Sequence, residues 1–99
     1  MPVYNLYVKL DKSVTKDSLK KEVEECYSNN KLVRIIFDTT DSEASVDRMK
    51  AIKCVFDDLK ETTNKQMVEA VIIVSGDLKR QMIRTFLDNM KKSRPVRII

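Results

Sequence analysis

A chain of 99 residues with net charge +4, one glycine and two prolines makes one small domain with a single core, and excludes a loop-rich or disordered chain. With no histidine, the commonest general base is missing, and two cysteines outside any CxxC spacing exclude the usual Cys/His zinc site. No apolar run approaches the roughly 18 residues of a membrane span, and the opening Met-Pro-Val-Tyr-Asn-Leu lacks the basic-then-apolar order of a signal peptide.

Tyr4, Leu6, Val8 and Leu10 alternate with Val3, Asn5, Tyr7 and Lys9, the period-two pattern of a strand with one apolar face. Thr15 or Ser13 caps the first helix, whose core positions are Leu19, Val23 and Cys26 or Tyr27. Asn29-Asn30 ends it, because Asn tolerates the left-handed conformation. Residues 32–38 form a second strand, and the near-continuous run Val33, Ile35, Ile36, Phe37 predicts a central strand covered on both faces. After a polar loop, the second helix starts near Ser42 or Ser45 with the stripe Val46, Met49, Ile52, Val55, Phe56 and Leu59.

Residues 61–65 read as a loop, and residues 68–74 as a third strand with Val71, Ile72, Ile73 and Val74. A third helix is expected over 77–91, with Leu78, Met82, Ile83, Phe86, Leu87 and Met90 on one side. Pro95 stops further helix, and residues 96–99 form a short closing strand. The order β-α-β-α-β-α-β predicts one α/β domain over residues 1–99, a mostly parallel four-stranded sheet packed with helices.

Cys26 and Cys54 read as reduced thiols packed as small apolar groups, which fits an intracellular, cytoplasmic location. Charge is uneven: net −1 over residues 1–75 and +5 over 76–99. The excess lies in Lys79, Arg80, Arg84, Lys91, Lys92, Arg94 and Arg97, a set that can attract nucleic acid, anionic lipid or an acidic protein face. The same residues also fit a solvated helix face and a charged edge strand, and they lack stacking aromatics.

Functional loops of an open parallel sheet lie beyond the carboxyl ends of its strands. Here these hold Thr39, Thr40, Asp41, Ser42, Ser45 and Asp47, and then Ser75, Gly76 and Asp77. Capping of the second helix accounts for the hydroxyls and acids of the first loop. A phosphorylation switch at the same helix start is a second reading, and a cation site from Asp38 and Asp41 a third. Gly76 is the only glycine, so neither the dinucleotide fingerprint nor the P-loop is present, and no cofactor is expected.

Ile35-Ile36-Phe37-Asp38, the polar loop into an amphipathic helix, Val71-Ile72-Ile73-Val74 and the last helix and strand together resemble the STAS family, anti-sigma-factor-antagonist-like domains with minimal eukaryotic and viral relatives. The resemblance covers residues 32–99. It implies a non-enzymatic regulatory module that docks on a protein partner, in some members regulated by phosphorylation of a Ser at the start of the second helix. Where bacterial members carry Asp-Ser-Ser-Gly, this chain has Glu43-Ala44-Ser45-Val46-Asp47, which places Asp47 near the phosphoacceptor position with Ser45 just ahead.

The leading expectation is therefore a protein-interaction module docking through residues 39–45 and the start of the second helix. Binding of an anionic partner through the basic C-terminal part is the alternative, and a small phosphate- or metal-dependent enzyme the second alternative. The long apolar first strand, if it lies at a sheet edge, adds homodimerisation as an expectation.

Overall fold

The computed structural model of the chain describes residues 2–11, 13–40, 46–89 and 94–99, with side chains of the second helix described from Lys50 onward. Its elements are β1 (Tyr4–Lys9), α1 (Lys16–Asn29), β2 (Val33–Asp38), α2 (Val46–Asp58), α3 (Lys60–Gln66), β3 (Met67–Ile73), α4 (Asp77–Asp88) and β4 (Val96–Ile98). The four strands form one sheet in the order β1-β2-β3-β4, and every pair is parallel. This is the expected α/β fold.

Parallel neighbours must be joined by long crossovers, and each crossover here carries helix. Because the strands follow one another in sequence order and such crossovers are right-handed, every helix falls on the same face of the sheet. One core results. Val8, Val33, Ile35, Phe37, Ala70, Ile72 and Val74 of the sheet side meet Leu19, Val23 and Tyr27 of α1, Val55 of α2, and Ile83 and Leu87 of α4. Phe37 and Phe56 pack edge to face with centroids 5.9 Å apart. Each fully buried Val, Leu, Ile or Phe side chain of this set contributes roughly 1.5–3 kcal/mol.

Local chemistry fixes the element ends. Thr15 is the N-cap of α1: its Oγ1 accepts from Ser18 N at 3.1 Å, and Ser18 Oγ accepts from Thr15 N at 2.9 Å, a closed capping box. Lys16 and Lys20 of α1 lie 3.8 and 3.6 Å from the Asp58 carboxylate of α2. Gly76 precedes α4 at φ +93°, the one described residue with positive φ, where an L side chain is strained. A register shift between Val33 and Arg34 leaves Val68 as an extra residue: Val33 pairs with Met67, but Arg34 pairs with Glu69. This bulge moves the phase of β3 so that Ala70 and Ile72 enter the core and Glu69 faces the other way.

Several expectations are corrected. β2 is covered by helices on one face only: its burial alternates, with Val33, Ile35 and Phe37 buried and Arg34, Ile36 and Asp38 partly exposed. Residues 61–65 are helical, within α3, because Thr63 turns inward and its hydroxyl hydrogen-bonds the buried Tyr27 phenol at 3.0 Å. Asn30 is extended, not left-handed; its amide instead donates to Cys26 O at 3.0 Å and closes the end of α1.

Cys26 is buried, and burial raises its thiol pKa, but Cys54 is exposed because Val55 takes the inward position on α2. Tyr4 is half exposed. Leu78 and Met82 are exposed, since Ile83 and Leu87 set the inward line of α4 and the preceding position lies about 100° round the helix. Met90 and the end of that helix as expected from the sequence lie outside the described residues, as do the side chains of Val46 and Met49. No helix among the described residues is long and apolar enough to cross a membrane.

Candidate interaction surface on the bare face of the sheet

The buried side chains of α1, α2 and α4 all join the cluster on one face, so among the described residues the second face of the sheet carries no helix. Alternation along the strands places Asn5, Tyr7 and Lys9 of β1 on it, with Arg34, Ile36 and Asp38 of β2, Glu69, Val71 and Ile73 of β3, and Arg97 of β4. Parallel sheets ordinarily have both faces covered, which makes this surface the most unusual feature of the molecule.

Its polar groups link all four strands. Arg34 Nη1 donates to Asn5 Oδ1 at 3.2 Å, and Arg34 Nε donates to Glu69 Oε1 at 2.8 Å. Arg97 donates to the same Glu69 oxygen at 3.1 Å. The Glu69 side chain is only 21 % exposed, so it sits between two guanidiniums with its charge largely satisfied. The bulge makes this linkage possible: without the extra Val68, Glu69 would face the core.

The next row is apolar. Tyr7, Ile36 and Val71 are in register, and Val71 is buried although it lies outside the helix-covered core. Its register neighbours Ile36 and Arg97 flank it, and the aliphatic stem of an arginine can cover such a side chain. Sequence reasoning missed this surface. The signal was there in the charged residues at alternate strand positions, Lys9, Arg34, Asp38, Glu69 and Arg97, yet nothing local says that five charges from four strands share one face.

Asp38 closes this face at the carboxyl end of β2. Oδ1 accepts from Thr40 N at 2.9 Å and from Thr40 Oγ1 at 2.6 Å, and Oδ2 accepts from the Tyr7 hydroxyl. These bonds favour the ionised form and, with Lys9 nearby, hold the carboxyl down at about 2. Oδ1 therefore shapes the turn after β2, and Oδ2 ties β2 to β1.

The loop positions singled out from sequence have different situations. Thr39 is buried, and its hydroxyl donates to Ile73 O at 2.7 Å, so it stitches β2 to β3. Thr40 is exposed, and so is Ser75. Asp41, Ser42 and Ser45 lie outside the described residues, as does the side chain of Asp47. The cation pair of Asp38 with Asp41 thus has only its first member described.

The basic set is scattered. Lys79 Nζ donates to Thr39 O at 2.8 Å, at the carboxyl end of β2, while Arg94 Nε donates to Met67 O at 2.7 Å, at the opposite end of the sheet. Arg97 belongs to the bare face, and Arg80 and Arg84 to α4 on the covered side. Lys91 and Lys92 lie outside the described residues. No family model, curated protein or solved structure matches this chain.

Proposed function

We propose that this protein is a non-enzymatic protein-interaction module whose docking surface is the bare face of its sheet. The observation that carries this is a parallel sheet with helices, among the described residues, on one side only, its other side an apolar row of Tyr7, Ile36 and Val71 beside mutually paired charges. Tyr7 and the exposed part of Ile36 are favourable to remove from water, Val71 being already buried between its neighbours. The charges beside it are paired with one another, Arg34 and Arg97 sharing the one Glu69 carboxylate and leaving a net charge of only +1, so a polyanion finds little excess positive charge there.

The resemblance of residues 32–99 to STAS domains supports the same class of function, a module that works by docking. The reading moves the docking site away from the loop after β2, since Thr39 is buried and Thr40 is tied to Asp38.

The test is affinity capture with the wild-type chain, with Ile36→Lys and with Thr40→Lys, each checked for an unchanged fold. The expected result is a partner lost with Ile36→Lys and retained with Thr40→Lys. The reverse pattern returns the site to the loop and rejects the bare face.

A further inference from the structure

The two edges of the sheet carry open grooves, and they lie apart from the bare face. At one edge, a groove between β1 and α1 is lined by Tyr4, Leu6 and Cys26 with Glu22 and Glu25 on its rim. At the other, a groove between β4 and α4 is lined by Leu87, Val96 and Ile98 with Arg84 and Asp88. Glu22, Glu25 and Arg84 are all exposed. Each groove is an open end of the core, where the outermost helix and strand have no further neighbour among the described residues.

The backbone is in phase for continuation. Tyr4 N donates to Leu32 O and Leu10 N to Asp38 O, so the even-numbered residues of β1, which include core-facing Leu6 and Val8, turn their peptide groups toward β2. In β4, Pro95 and Ile99 bond to β3: Ala70 N donates to Pro95 O, and Ile99 N donates to Ile72 O. By alternation, the core-facing Val96 and Ile98 turn their peptide groups outward. The β4 edge therefore offers an incoming strand the same phase that β1 offers β2.

We propose that the chain associates head to tail with a second copy of itself: β4 of one protomer seats in parallel beside β1 of the next, and Arg84 of α4 faces Glu22 and Glu25 of α1. Both grooves are then closed, Leu87, Val96 and Ile98 packing against Tyr4, Leu6 and Cys26, and the bare faces line up on one side. The like-with-like alternatives each close only one of the two grooves. Pairing β1 with β1 also sets Glu22 and Glu25 against their own copies, whereas the β4 rim carries Arg84 together with Asp88. A head-to-tail contact uses two different surfaces, so it does not close on a dimer; it grows into rings or filaments.

The experiment is sedimentation of the full chain across concentration and salt, with two variants, Arg84→Glu and the pair Glu22→Arg and Glu25→Arg. The wild type is expected to form species beyond a dimer that weaken with salt. Each variant alone is expected to weaken association by at least about tenfold, because like charges then meet. An equimolar mixture of the two is expected to restore it, since each altered edge meets its complement. Circular dichroism melts check that both variants keep the fold. A wild type that stays monomeric at every concentration overturns the proposal, as does a dimer that never grows, or association that either variant leaves intact.

Discussion

The Asp38 carboxylate accepts three hydrogen bonds, two from Thr40 and one from the Tyr7 hydroxyl. All three favour the charged form, which is why its pKa lies at about 2. The sign follows. The folded pKa is below the ordinary carboxylate value of about 4, so the stabilising contribution is present above that pH and is lost as pH falls through about 2. Removing the phenolic donor with Tyr7→Phe is expected to move the titration of Asp38 upward, toward the ordinary value, as followed by the carboxyl carbon resonance. A midpoint unchanged from wild type contradicts the Tyr7 contact. That Asp38 sits at the end of a strand before a polar turn was legible in the sequence; that Tyr7, 31 residues away, reaches it was not, because β1 and β2 come together only through the crossover.

Among the elements, the junction of β3 with α4 rests on Gly76. Nothing lies within 4 Å of a Cβ added there, so space is not the constraint; the backbone at φ +93° is. Gly76→Ala is expected to destabilise the fold by about 1–2 kcal/mol in chemical denaturation, through backbone strain alone. A neutral result would mean that the turn relaxes to negative φ. The sequence marked Ser75-Gly76 as a turn, since a lone glycine between an apolar strand and an amphipathic helix has few other uses. It did not mark α3, whose residues Lys60–Gln66 are polar nearly throughout. That helix owes its place to tertiary contacts: Thr63 meets Tyr27, and the Gln66 amide donates to Tyr27 O at 2.8 Å. The same limit applied to α4, where Leu78 and Met82 belong to an apolar stripe by spacing yet stand in solvent, since Ile83 and Leu87, with Phe86 partly buried beside them, face the core.

At the scale of the whole molecule, the single layer of helices decides which residues are core. Ile35 and Ile36 are adjacent and chemically identical, but Ile35 is fully buried under the helices and Ile36 lies on the bare face. Ile35→Lys is expected to abolish folding, because it buries an ammonium with no partner. Ile36→Lys is expected to cost about 1 kcal/mol and keep a cooperative melt. Thermal melts of the two variants check this directly; equal damage from both would show the second face to be covered as well. The contrast also separates a docking defect of Ile36→Lys from a folding defect.

Periodicity, breakers and capping residues by themselves determined the main strands and helices and the α/β class, because those signals act within a few residues. Parallel pairing was legible for the same reason: the segments between the apolar strands are long enough for a crossover helix. Only the tertiary structure decided that the crossovers all run in one direction, so that every helix shares a face. It alone decided that a one-residue bulge at Val68 turns Glu69 toward Arg34 and Arg97. Strand order and register depend on contacts between residues distant in the chain, and the apolar run of β2 fits a strand covered twice as well as one covered once. The bare face and the two unmatched edges are consequences of that order.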